Sequence, residues 1–159
     1  MSKHQQKKNF YLLSLGCSKN TVDSESMASL LYKAGFSGVA DPEDASVLIV
    51  NTCGFIEDAR QESIAALREL AELKQPNQLL IAAGCMAQRY GAEVVEWAPG
   101  VDGVIGTRRW MDIVRFVRQL RRSKHPEPLY HLPDEATTVG KDEQGVLRTA
   151  VQGRSAYLK

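Results

Sequence analysis

A chain of 159 residues with 43% hydrophobic and 25% charged side chains has the composition of a single soluble domain with its own core. Its 20 basic and 19 acidic residues leave a net charge of +1, which excludes a whole-molecule field of the kind that drives non-specific nucleic-acid binding. No apolar run approaches the roughly 20 residues of a membrane span, and the polar, basic start from Met1 to Lys8 lacks the apolar segment of a secretory leader, so a cytoplasmic location is expected.

Residues 1–9 read as a disordered basic start, and Phe10 to Leu15 as the first strand. From Asn20 the period changes: Met27, Leu30, Leu31 and Ala34 form the stripe of an amphipathic helix. Asn20 or Thr21 is its expected cap, Asp23 and Glu25 its first-turn acids, and Gly35 its exit. A short strand at Ser37 to Ala40 and a turn at Asp41-Pro42-Glu43-Asp44 lead to the most strongly β-branched run, Val47 to Asn51. Ile56, Ala59, Ile64, Leu67, Leu70 and Leu73 then predict a long helix, stopped by Pro76-Asn77.

Leu79 to Ala83 reads as a third clear strand, followed by a helix from Met86 to Trp97 that Pro99-Gly100 ends. Val101 to Gly106 predicts a short strand, and Thr107 the cap of a last helix striped by Trp110, Ile113, Val114, Val117 and Leu120. The arginines that flank it, from Arg108 to Arg122, read first as a solvated face and second as the local candidate for an acidic partner. Residues 123–147 lose periodicity and read as a linker, and 148–159 as the start of a further domain, as if the chain were cut at a boundary. Strands alternating with helices predict an α/β fold, a mainly parallel sheet with helices on both faces. Ligands of such sheets bind outside the carboxyl ends of the strands.

All three cysteines fall at those ends: Cys17, Cys53 and Cys85 each follow an apolar run, each beside a glycine (Gly16, Gly54, Gly84), and each ahead of a helical pattern. A lone cysteine is most often a buried small hydrophobe. Three at equivalent positions, an odd number without an export signal, point instead to metal or redox chemistry. Zinc sites and redox thiol pairs commonly use C-x-x-C, which is absent; a site of three cysteines with one of His4, His125 or His131 remains open. An iron–sulfur cluster fits better, since thiolates are its standard ligands and three of them leave one iron open. A non-enzymatic nucleotide-binding module is the rival, although no G-x-G-x-x-G or Walker loop supports it.

Ser14 to Asn20 with Val22-Asp23-Ser24-Glu25, then Asn51 to Ile56 with Ala59 and Glu62-Ser63-Ile64, then Gly84 to Gln88, resemble the amino-terminal domain of the methylthiotransferases. That family comprises radical S-adenosylmethionine enzymes, and the likeness covers about residues 10–122, read as one auxiliary-cluster domain. The wording of the first two motifs resembles the RimO-like branch, which modifies a ribosomal protein, more than the tRNA-modifying MiaB branch, which stays as the alternative.

The resemblance implies that Cys17, Cys53 and Cys85 hold an auxiliary 4Fe-4S cluster whose open iron carries the sulfur to be transferred. It implies that Asn20, Asn51 and Thr52 either donate hydrogen bonds to sulfur or merely cap turns. The implied reaction is β-methylthiolation of an aspartate in a small-subunit ribosomal protein, with nucleic acid and membrane disfavoured as partners. The family's second 4Fe-4S cluster, which cleaves S-adenosylmethionine, needs C-x-x-x-C-x-x-C, and this sequence has none. Gly153 to Lys159 resembles the run just before that motif, which implies a radical domain elsewhere in a longer parent and no turnover by this chain alone.

Overall fold

The computed structural model describes residues 7–16, 18–123 and 127–132. Cys17, His4, His125, most of the expected basic start, most of the expected linker and the whole of 148–159 lie outside them. The strands are β1 Asn9–Ser14, β2 Ser37–Gly38, β3 Val47–Thr52, β4 Leu79–Gly84, β5 Gly103–Gly106 and β6 Leu129–His131. All pair in parallel in one sheet, ordered β2-β1-β3-β4-β5-β6. The chain steps outward from β1 to β2, then returns past β1 to β3 and proceeds the other way. That reversal puts the topological switch point, where such sheets open a crevice for ligands, between β1 and β3.

Among the described residues, five helices cover the sheet: α1 Ser18–Lys33, α2 Glu57–Leu73, α3 Cys85–Tyr90, α4 Glu93–Trp97 and α5 Ile113–Arg122. Because side chains alternate along a strand, each strand feeds both faces. Val47, Ile49, Ile81 and Ile105 pack with Met27 and Leu31 of α1 and Ile113, Phe116 and Leu120 of α5. Leu48, Val50, Leu80, Ala82 and Val104 pack with Ile64, Leu67 and Leu70 of α2, Met86 of α3 and Val94 of α4. β3 is buried along its whole length, which is why its sequence reads as a continuous apolar run rather than an alternating one.

Several boundaries depart from the sequence pattern. The predicted helix over Met86 to Trp97 is two short ones, broken at Gly91, whose φ is +51°. Thr107 caps nothing: a turn from Gly106 and a 3-10 turn at Trp110–Asp112 precede α5. Ile56 and Leu73, expected on the buried stripe of α2, are 58% and 59% exposed, so that stripe is shorter than its apolar spacing implied. Gly35 does form the exit of α1, in a Schellman motif in which Phe36 N donates to Leu31 O and Gly35 N to Tyr32 O, each at 3.0 Å.

β6 lies inside the stretch expected as linker. Leu129 packs on the α1 and α5 face, and His131 Nε2 lies 2.8 Å from the buried Asp112 Oδ2. Since α5 shares its face with α1 while β6 continues outward from β5, the β5-α5-β6 crossover is opposite in hand to β3-α2-β4, an exception to a strong rule.

Candidate metal centre

Cys53 follows directly on Thr52, the last residue of β3, and is buried at 6% exposure. Its backbone is held on both sides by one hydroxyl: Cys53 N donates to Ser63 Oγ at 2.9 Å, and Ser63 Oγ donates to Cys53 O at 3.0 Å. Ser63 projects from the second turn of α2, so this helix pins the loop that precedes it. The Cys53 side chain lies against Gly16. A Cβ built on Gly16 would stand 2.5 Å from Cys53 Cβ and 2.6 Å from its Sγ, closer than real Cβ atoms come, and Gly16 has φ +89°. Only glycine leaves room for that thiol beside the residue that precedes Cys17.

Cys85 is half-buried and, rather than lying in a loop, is the first residue of α3 immediately after β4. Its approach also depends on glycines. Gly84, at φ +96° and ψ −162°, sits over the end of β3, where a Cβ would fall 2.5 Å from Thr52 O and 2.9 Å from Thr52 N. A Cβ on Gly54 would stand 3.0 Å from Met86 Cβ. The second and third cysteine segments therefore touch through backbone.

Asn20 ties the segments together. Its side chain is fully buried; Nδ2 donates to Leu15 O at 2.8 Å and to Thr52 O at 2.9 Å, and Oδ1 lies 3.7 Å from Cys85 Sγ. Asn51 Nδ2 in turn donates to Asn20 O at 2.8 Å and to Ser24 Oγ at 2.9 Å, while its Oδ1 is buried without a hydrogen-bond partner. Thr52 Oγ1 donates to Ala83 O and accepts from Ala87 N at 3.3 Å.

These bonds correct two expectations. Asn20 is not the cap of α1, which starts at Ser18. The donors of Asn20, Asn51 and Thr52 are engaged by protein oxygens, so the donation to sulfur that the resemblance implied for them is not seen. The sequence signal for this network was present but mislabelled. Asn20, Asp23, Ser24, Met27 and Leu31 form one buried helical stripe, polar at the end beside the strand carboxyl termini and apolar below.

Glu57 and Arg60 begin α2 just beyond the Cys53 loop. Hydrogen bonds from Arg60 and Gln61 hold the Glu57 carboxyl below the usual glutamate range, and the bonds to Glu57 and Tyr90 raise Arg60. Phe55, on the tip of the same loop, is 87% exposed. At the opposite end of the sheet, Arg121 donates to Lys7 O at 3.0 Å and to Ser46 Oγ at 2.9 Å across the ring of Phe36. Burial pushes that guanidinium down from its ordinary value. The arginine run of α5 is thus not one uniform face.

Among the described residues there is no group of three or more His, Cys, Asp or Glu arranged to hold a metal, and none of their helices is long and apolar enough to cross a membrane. Of the three predicted ligands, Cys53 lies against Gly16 and Cys85 Sγ lies 3.7 Å from Asn20 Oδ1; Cys17 lies outside the described residues. His131, on β6, has its Nε2 engaged by Asp112 of the 3-10 turn before α5.

Residues 9–106 match the family described as Uncharacterized protein family UPF0004. The chain belongs to this family. UPF0004 is the amino-terminal domain of MiaB and RimO proteins. The protein called ribosomal protein uS12 methylthiotransferase RimO in Chloroflexus aurantiacus is 44% identical over 160 residues, covering 94% of this chain and 35% of its own length. The protein of the same name in Bdellovibrio bacteriovorus is 36% identical, covering 97% and 33%, and that in Clostridioides difficile is 47% identical over 111 residues, covering 69% and 25%. This UPF0004 chain spans about a third of the length of the first two relatives.

Proposed function

We propose that this chain is the auxiliary iron–sulfur domain of a radical S-adenosylmethionine methylthiotransferase, with Cys17, Cys53 and Cys85 as the cluster ligands. The observation that carries the reading is that Asn20, three residues on from Cys17, bonds the Thr52 carbonyl just ahead of Cys53 and lies 3.7 Å from Cys85 Sγ. The donor set suits the group: thiolates are soft ligands, and glycine at residues 16, 54 and 84 lets backbone approach a bulky inorganic cluster. When bound, the cluster would supply an iron with an open position at which sulfur is held for transfer.

The chain's own contribution is placement and shielding. Ser63 fixes the Cys53 backbone, Gly84 lets Cys85 follow β4 without a side chain over Thr52, and the buried asparagines keep the loops from spreading. The names of the relatives support a ribosomal-protein substrate; modification of an aspartate β-carbon in the small subunit, in the cytoplasm, is the finer reading that the family resemblance implies. S-adenosylmethionine and a second cluster would belong to a radical domain outside this chain, so the chain alone is not expected to turn over. The domain is read as 10–122 together with β6, Leu129–His131, which extends its sheet, with the rest of 123–147 linking it onward and 148–159 opening the next unit.

Anaerobic reconstitution with iron and sulfide tests this reading. A broad visible charge-transfer band should appear and be weakened by Cys17→Ala, Cys53→Ala and Cys85→Ala separately. Failure of the native chain to take up iron, or indifference of the band to any of the three changes, refutes the ligand assignment.

A further inference from the structure

Asparagine at position 20 makes a set of contacts that few other side chains could reproduce. The amide is fully buried and both of its N–H bonds are spent on main-chain carbonyls, Leu15 O ahead of Cys17 and Thr52 O ahead of Cys53. Rotating the amide by half a turn would set an oxygen against two carbonyl oxygens, so its orientation is determined. Oδ1 is thereby aimed at the third segment, where Cys85 Sγ lies 3.7 Å away. The backbone of Asn20 is itself anchored, its carbonyl accepting from Asn51 Nδ2 at 2.8 Å. Aspartate has the same shape but no donor, serine is too short to span both carbonyls, and leucine has the size but takes the donor from the part-buried Leu15 carbonyl and the buried Thr52 carbonyl.

We infer that Asn20 is a positioning residue that sets the mutual spacing of the three cysteine segments, so that a soft metal is taken by three thiolates at once rather than by one or two. The inference rests on the ligand reading above and adds a residue that is not itself a ligand. Asn20 acts through carbonyl oxygens, and its effect is on how many sulfurs reach the metal.

The test is an anaerobic titration of the 159-residue chain with cadmium ion alone, read by the thiolate-to-cadmium charge-transfer absorbance, beside urea unfolding of the same samples. The native chain should bind one equivalent with the absorbance of three thiolates. Asn20→Leu should bind about tenfold more weakly, the equivalent of one net hydrogen bond, and show the absorbance of two thiolates or fewer. Leu31→Ala, which empties the core on the same helix, serves as the control: it should lose comparable stability and keep the full three-thiolate absorbance. Should Asn20→Leu not fold, Asn20→Ser is read in its place, with the same loss expected. Native-like affinity and absorbance in a folded Asn20 variant overturn the inference while leaving the ligand reading intact. Absence of the three-thiolate absorbance in the native chain overturns the ligand reading, and the inference with it.

Discussion

Replacing Gly84 by alanine separates two reasons for glycine at the entrance to α3. Its backbone, at φ +96° and ψ −162°, occupies a region that is essentially glycine-only, which costs an L-residue roughly 1–3 kcal/mol. The added methyl would also meet Asn51 Oδ1 and the Thr52 carbonyl and amide, the last two at 2.5 and 2.9 Å. These are buried atoms of a central strand that cannot swing aside, and overpacking of that kind adds roughly 1–3 kcal/mol. Gly84→Ala should therefore cost about 4 kcal/mol, close to 12 °C in Tm for a chain of this size. Gly35→Ala is the calibration: φ is +89° but nothing lies within 4 Å of the new methyl, so only the dihedral cost of about 1–2 kcal/mol applies. Urea midpoints at constant slope give both values. A Gly84→Ala loss within about 0.5 kcal/mol of the Gly35→Ala loss would refute the claim that β3 and the start of α3 are in backbone contact.

Ser63→Ala strands both Cys53 N and Cys53 O in the interior, and should cost about 2–3 kcal/mol with faster amide exchange at Cys53; unchanged protection there would contradict the role given to that hydroxyl. Asp102 Oδ2 accepts from Leu80 N and from Lys74 Nζ, each at 2.8 Å, so Asp102→Ala should destabilise by about 2 kcal/mol and expose the Leu80 amide to exchange. Glu57, exposed at the start of α2, has its folded pKa lowered chiefly by the Arg60 hydrogen bond. Its contribution is present above the ordinary glutamate value and fades as pH falls through the lowered one. A carboxyl NMR titration should show the Glu57 midpoint below the usual range and returning toward it in Arg60→Met; an identical midpoint in both proteins argues against the bond.

Much of the fold was legible because its signals are local. The apolar runs at Val47 and Leu79 end where their strands end to within a residue, since a strand buried on both faces needs apolar side chains at every position. Gly35 announced the end of α1 because the Schellman motif needs a residue at positive φ. The single helix predicted over Met86 to Trp97 failed because its apolar positions belong to two helices packing on the same face, and periodicity does not register the break at Gly91. β6 escaped notice because three residues carry no period, and its place depends on Phe116 and Asp112 of another segment.

For the site, the sequence by itself determined the chemistry: which side chains are soft donors, that a glycine stands beside each, and that each follows a strand. Those are properties of residue type and short spacing, and they do not depend on how the chain folds back. Only the tertiary structure decided what is near what. The parallel order places β1 and β4 on either side of β3, which brings Gly16 against Cys53 and Gly84 over Thr52. The same order turns Asn20 from an apparent helix cap into a buried tie among three segments, because hydrogen-bond partners 32 and 65 residues away leave no mark on a local pattern.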